Sequence, residues 1–151
     1  PEHYLRRDFS GVSASHGTPF LDGRNMAEAE NQNLILYGHN MMDGSMFKPL
    51  ISYLEPSFRE THQEIYLELS EKQYQYNVLA VAETSTTSPF YTFTSLADPT
   101  AASDFRATLL KETDLDVVHQ AEGYLTLSTC NNGGGNSRVL VIAAFAGEVT
   151  S

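Results

Sequence analysis

Apolar and polar residues alternate over two stretches of the chain, a pattern typical of β-strands with one solvated face. In residues 63–69, Ile65, Leu67 and Leu69 fall on one side of the predicted strand, and mostly charged residues fall on the other. Residues 73–84 continue the alternation over a longer run. The pattern therefore predicts a short strand followed by a long one.

Short apolar runs bounded by turn-forming residues predict further strands. Gly38 stops one of these runs, and the triple glycine at 133–135 separates the last two. The additional strands are predicted at residues 18–22, 33–37, 123–129 and 137–145, with 90–94 as a further extended segment.

Apolar residues at helical spacing indicate two helices among these strands. The first is predicted over residues 46–54, with Pro49 near its start, where a proline is best tolerated. The second begins at Asp98, whose side chain suits an N-cap, and Pro99 takes the first helical position because its fixed φ fits a helix. The side chains predicted to face the core are Ala101, Phe105, Thr108 and Leu109.

The length and the order of these elements predict a single, mostly β domain over residues 1–151. A barrel or a sandwich with short helical insertions fits the many strands, and 41% hydrophobic residues suffice for a core. No apolar run reaches the roughly 18 residues that a bilayer-spanning helix needs. Because the sequence begins at Pro1, we expect that an N-terminal signal or membrane segment has been trimmed from it.

The charge balance narrows the range of partners. Nineteen acidic residues against nine Lys and Arg give a net charge of -10, which argues against nucleic acid or an anionic membrane as the main partner. The acidic residues near the N-terminus lack the spacing of an EF-hand calcium loop, so we predict a solvated acidic surface and no metal site.

The only cysteine, Cys130, excludes an internal disulfide or a cysteine-based zinc cluster. An inert buried thiol and a reactive thiol both remain open. Cys130 ends a predicted strand, His39 ends another, and Arg138 begins the last one. A thiolate nucleophile needs a base or cation such as histidine, and an acyl transfer needs a donor for the oxyanion such as arginine. These three residues are therefore candidates for an acyl-transfer site.

The chain carries three distinctive motifs, which are the run LTLSTC at residues 125–130 with Arg138 eight residues later, the run LYGHNMMDGSMF at 36–47, and the opening from YLRRDFSG at 4–11 through FLDGRN at 20–25. The first is similar to the cysteine signature of the sortase family, and the second resembles the histidine motif of that family. The opening also resembles the family, and specifically its class B branch. The three motifs occur in the family's order and cover nearly the whole chain.

This resemblance implies an eight-stranded β-barrel that carries a cysteine transpeptidase site. It implies Cys130 as nucleophile, His39 as general acid and base, and Arg138 as oxyanion or carbonyl donor, with no cofactor or metal. Secreted proteins with a C-terminal sorting signal are the implied substrates, cleaved after a threonine. The implied acceptor is an amine of a cell-wall precursor or of a pilin lysine. The implied location is the outer face of a Gram-positive cell membrane, with an N-terminal anchor.

The resemblance also implies residues that line the substrate pocket. The pocket residues that it implies are Asn25, Tyr37 and Ser128, with Thr86, Phe90 and Tyr91 on a further wall. Three of these residues have an ordinary structural alternative, because Tyr37 and Phe90 could be core aromatics and Ser128 could be a strand hydroxyl facing a neighbour.

Two other classes of protein compete with the transpeptidase. A non-catalytic acidic surface domain, such as an adhesin or pilin module, would require Cys130 to be buried and inert. A papain-like protease is disfavoured by chain order, because its cysteine precedes its histidine, whereas His39 precedes Cys130.

Overall fold

The computed structural model describes residues 3–6, 20–22, 24–26, 30–38, 56–61, 63–69, 72–85, 87–130 and 137–149. Seven strands in these ranges form one sheet. The strands are β1 (His3–Arg6), β2 (Phe20–Leu21), β3 (Asn33–Gly38), β4 (Glu64–Leu69), β5 (Lys72–Ser85), β6 (Tyr124–Cys130) and β7 (Ser137–Val149).

The sheet has the strand order β1-β4-β5-β7-β6-β3-β2. β1 pairs with β4 and β3 pairs with β6 in parallel, and every other pairing is antiparallel. The expectation of a mostly β fold is confirmed. The expected eight-stranded closed barrel differs from the described part of the chain, where seven strands pair and the outer strands β1 and β2 are not joined. These outer strands have only four and two residues, so the hydrogen-bonded ladder ends there.

Each face of the sheet carries its own apolar cluster, because side chains alternate between the two faces of a strand. The first core cluster is formed by Leu34, Leu36, Ile65, Leu67, Tyr76, Leu125, Leu127, Val141 and Ala143. The second core cluster is formed by Ala82, Phe90, Leu96, Phe105, Leu109, Tyr124, Leu140 and Ile142. The alternating direction of successive side chains thus divides the residues of β6 and β7 between two separate cores.

The second core cluster is covered by two helical segments, a 3-10 helix (Pro89–Thr92) and α2 (Pro99–Glu112). The N-cap prediction for α2 is confirmed, since the Asp98 side chain accepts a hydrogen bond from the Thr100 amide. Of the predicted core residues, Phe105 and Leu109 are fully buried, and Ala101 and Thr108 are half-buried. None of the helices in the described ranges has both the length and the apolar composition that a bilayer crossing requires.

The extended segment predicted at 90–94 is wrong over residues 90–92, because Pro89–Thr92 form the 3-10 helix, whereas Phe93 has extended backbone angles. Pro89 sits at its first turn, and the Ser88 side chain accepts a hydrogen bond from the Phe90 amide. Both features stabilise a helix start. Phe90 is buried in the second core cluster, and Tyr91 and Phe93 are partly buried against it.

One predicted helix and two short observed elements remain to be compared. The helix predicted over 46–54 lies outside the described residues. β1 and a short helix, α1 (Pro56–Thr61), were not predicted. β1 has four residues and α1 six, and a periodic pattern is hard to distinguish over so few positions.

Candidate active site

The register of the sheet brings two of the three proposed catalytic positions together. Cys130 and Arg138 are direct partners in the antiparallel β6–β7 pair. Directly opposed residues in such a pair have Cα atoms about 4.5–5.5 Å apart. Arg138 also pairs with Thr84 of β5 on its other side, so it lies between two strands. The half-buried residue Arg138 is thereby held in register with the strand end that carries the cysteine.

The strand that leads to His39 ends beside the same position. The last residue of β3, Gly38, pairs with Thr129 in the parallel β3–β6 ladder. His39 itself lies outside the described residues. The ends of β3 and β6 and the beginning of β7 therefore meet at one edge of the sheet, which is where loops can present reactive groups on a rigid frame.

The next residues inward on β3 and β6 form a wall with the 3-10 helix. Tyr37 and Ser128 are register partners, and Ser128 is almost fully buried. The Tyr91 hydroxyl shares a hydrogen bond of 2.6 Å with the Ser128 hydroxyl. The rings of Tyr37 and Tyr91 are stacked, with centroids 6.0 Å apart and planes inclined by 10°. Three residues far apart in sequence, Tyr37, Tyr91 and Ser128, thus share one surface.

The turn after β2 supports this wall through an ion pair. The Arg24 guanidinium donates from Nε and Nη2 to the two carboxylate oxygens of Asp22, each at 2.9 Å. The same Nη2 donates to the Tyr91 carbonyl oxygen at 2.8 Å. The second Asp22 oxygen also accepts a hydrogen bond of 2.7 Å from the Tyr37 hydroxyl. One carboxylate and one guanidinium therefore connect both stacked tyrosines.

The charges of this turn are fixed by their contacts. The hydrogen bonds from Arg24 are the main reason that the pKa of Asp22 falls from 3.8 to about 2. Burial, followed by the hydrogen bond to Asp22, raises the pKa of Tyr37 above its ordinary value. Asp22 therefore stays ionised and Tyr37 stays protonated across the physiological pH range, so the hydroxyl remains a donor to the carboxylate.

The other sequence-predicted pocket residues have different surroundings. The Asn25 side chain donates to the carbonyl oxygens of Asn33 and Thr94 and to the side-chain oxygen of Gln32, and it accepts from the Ile35 amide. The Phe90 side chain is 1% exposed and packs in the second core cluster. The placement of Phe90 favours its structural alternative as a core aromatic. Thr86 lies outside the described residues.

A buried polar pair behind the wall was not anticipated. Asn33 is fully buried, and its side chain donates to the Phe93 carbonyl oxygen at 2.9 Å. It also accepts a hydrogen bond of 2.8 Å from the hydroxyl of Thr126, which is buried as well. The backbone amide of Asn33 donates to Thr94, so the segment after the 3-10 helix is fastened to β3 at several points.

Asp22 and Arg24 were not predicted to act together. The signal was present, since an acidic and a basic residue two positions apart precede Asn25 in a short turn. Such a pair predicts a local ion pair, but nothing in the sequence indicates that it also reaches Tyr91. Over the ranges that the structure describes, no three His, Cys, Asp or Glu side chains are grouped so that they could hold a metal ion.

Comparison with known proteins supports the resemblance seen in the motifs. Residues 7–146 match the family model of the sortase domain. Sortase B of Listeria monocytogenes is 34% identical over 133 residues, which cover 86% of this chain and 54% of that protein. Sortase B of Staphylococcus aureus is 32% identical over 146 residues, covering 93% of this chain and 59% of that protein. The chain thus spans less than two thirds of the length of either relative.

A solved structure shows the same fold. The complex of Staphylococcus aureus sortase B with a substrate superposes with a TM-score of 0.74 at 28% sequence identity. The alignment covers 96% of this chain and 69% of that structure's chain. The sheet described above, with its three strand ends at one edge, is therefore similar to that of a class B enzyme.

Proposed function

The chain belongs to the sortase family, and from that premise we propose that it is a cysteine transpeptidase. In the proposed reaction the Cys130 thiolate attacks the carbonyl carbon of a peptide bond. The carbon–nitrogen bond breaks, His39 gives a proton to the leaving amine, and a thioester remains on the enzyme. An incoming amine then loses a proton to His39 and attacks the thioester. A new amide forms and the thiolate is released.

The observation that carries this proposal is the register that pairs Cys130 with Arg138. Arginine stays charged at every working pH and presents fixed N–H donors. A guanidinium beside the cysteine strand can donate to the oxygen that becomes negative when the carbonyl is attacked. Such donors typically account for about 10²–10³ in rate. The adjacent end of β3, which leads to His39, supports the role of that histidine as the acid and base.

The substrate and the location follow from family membership and remain part of the proposal. The substrate is a secreted protein with a C-terminal sorting signal, cleaved after its threonine. The acceptor amine belongs to a cell-wall precursor, and the alternative acceptor is the side-chain amine of a pilin lysine. The protein acts at the outer face of a Gram-positive cell membrane, to which an N-terminal segment anchors a single catalytic domain. The net charge of -10 supports a protein partner over nucleic acid.

A peptide-library assay with a mass-spectrometric readout tests the proposal. We expect cleavage at a threonine, and an enzyme–peptide thioester whose mass disappears when an amine acceptor is added. Supplying a cell-wall peptide amine and a pilin-type lysine peptide in separate reactions identifies the acceptor. Because Cys130 is the only cysteine, a methanethiosulfonate reagent reports on this residue alone. A thiol that resists the reagent, together with a Cys130→Ala variant as active as the parent, would refute the proposal that the protein is a cysteine transpeptidase.

The role of Arg138 is tested by its replacement with alanine. We expect the rate of thioester formation to fall by about 10²-fold or more, because the oxyanion loses a charged donor. Arg106→Ala is the matched control, since Arg106 is also half-buried but lies on α2. If Arg138→Ala acylates as fast as the control, Arg138 has no part in the mechanism.

A further inference from the structure

The contacts around Arg24 form a closed circuit at the proposed site. Arg24 holds Asp22 through two side-chain hydrogen bonds, and Asp22 accepts the Tyr37 hydroxyl. Tyr37 stacks on Tyr91, and the Tyr91 carbonyl accepts a third side-chain hydrogen bond from Arg24. The Tyr91 hydroxyl extends this circuit to Ser128. Each member is therefore held by at least two contacts with other members or with β6.

The circuit lies next to both strands that lead to the proposed catalytic residues. Tyr37 is the residue before the last in β3, the strand whose end leads to His39, and Ser128 is two positions before Cys130 along β6. In a strand, residues two positions apart belong to the same series along one face. The surface formed by Tyr37, Tyr91 and Ser128 is thus continuous in register with the end of β6 at Cys130.

We propose that Arg24 is a positioning residue that sets the Tyr37–Tyr91–Ser128 surface and thereby the affinity for the acyl-donor peptide. This inference rests on the proposed function. Arg24 suits the task because its planar fork can grip a carboxylate with two N–H groups and still reach a carbonyl. Its side chain is 54% exposed, whereas that of Asp22 is 10% exposed, so the guanidinium closes the circuit from the solvent side.

The backbone of the 3-10 helix gives a readout that is independent of catalysis. The Tyr91 amide donates to the Ser88 carbonyl oxygen, and the Phe93 amide donates to that of Phe90. When Arg24 releases the Tyr91 carbonyl, this short helix loses its tie to the turn after β2. The exchange of these two amides with deuterium should then become faster, since exchange follows local opening.

The test compares Arg24→Ala and Arg24→Lys with the parent chain. For Arg24→Ala we expect KM for the cleaved peptide to rise about tenfold while kcat changes by less than about threefold, as expected for the loss of hydrogen bonds from a charged group. Exchange at the Tyr91 and Phe93 amides should quicken by about tenfold as well. The KM and the exchange rates of Arg24→Lys should lie between those of Arg24→Ala and the parent, because an ammonium keeps the charge but lacks the two planar N–H donors. Lys72→Ala is the control for losing one exposed positive charge, and it should match the parent.

Three results would overturn the inference. Unchanged KM and unchanged exchange in Arg24→Ala would show that the circuit does not depend on Arg24. A raised KM with unchanged exchange would mean that Arg24 touches the substrate rather than positioning other residues. A fall in kcat alone would place its effect on the chemical step. If the parent cleaves no peptide in any library, the proposed function fails, and the exchange measurement still decides whether Arg24 orders the wall.

Discussion

The buried pair formed by Asn33 and Thr126 allows a quantitative test of the wall's support. Asn33→Ala removes the donor to the Phe93 carbonyl and leaves the Thr126 hydroxyl buried without this acceptor. An unsatisfied buried group costs about 1–3 kcal/mol and an ordinary hydrogen bond contributes about 1 kcal/mol, so we expect a loss of about 2–4 kcal/mol. Thr126→Val keeps the shape of the side chain, removes the hydroxyl and should cost about 1–2 kcal/mol.

The double variant distinguishes a real interaction from two independent losses. When Thr126→Val is added to Asn33→Ala, no hydroxyl remains to be left unpaired. The two free-energy changes should therefore sum to about 1–2 kcal/mol more than the double variant loses. Urea unfolding followed by far-UV circular dichroism gives these values, because the chain has no tryptophan for fluorescence.

A matched threonine serves as the control for this cycle. The Thr108 hydroxyl donates to the Asp104 carbonyl within α2, so Thr108→Val should show no coupling to Asn33→Ala. The reasoning is refuted if the losses of the Asn33→Ala and Thr126→Val single variants sum to within about 0.5 kcal/mol of the loss of the double variant, since contacting residues in one network do not behave independently.

Three further predictions concern stability. Tyr76→Phe should raise the free energy of unfolding by about 1 kcal/mol in urea titration, because the Tyr76 hydroxyl is buried with no hydrogen-bond partner in the structure as described; a lower value would contradict this. The pKa of Asp22 is about 2 in the folded protein against an ordinary value of 3.8, so its contribution to stability is complete above about pH 4 and is lost as the pH falls towards 2. Asp22→Asn should therefore flatten the dependence of the free energy of unfolding on pH in that window, and an unchanged slope would count against the ion pair. Asn31 has φ of 62°, so Asn31→Val should destabilise by about 1–2 kcal/mol in thermal melts while Asn31→Gly stays within about 0.5 kcal/mol; equal losses would exclude backbone strain as the cause.

Much of the fold follows from local pattern. The alternation in residues 63–69 and 73–84 predicted β4 and β5, and the Asp98–Pro99 pair predicted the start of α2. These features can be predicted from the sequence because periodicity and capping depend on residues that are close together in the chain. The extended conformation predicted for residues 90–94 was wrong over residues 90–92, because one serine and one proline stabilised a helical turn there.

The candidate site was also predictable from the sequence only in part. The family motifs by themselves indicated Cys130, His39 and Arg138, and the pairing of Cys130 with Arg138 is a short-range feature of neighbouring strands. The sequence could not separate Phe90 from Tyr91, which were both predicted as wall residues. In the structure, Phe90 lies in the core while Tyr91 contacts Ser128. Only the direction of the 3-10 turn against the sheet makes this distinction.

The sequence therefore determined which residue types the protein has for its chemistry, in which order, and which strands carry them. The tertiary structure decided which of them meet. Tyr37, Tyr91 and Ser128 share a surface only because β3 and β6 pair in one register and the 3-10 helix packs across them. A shift of one residue in that register would turn each side chain to the opposite face, and two buried cores fix the register against such a shift.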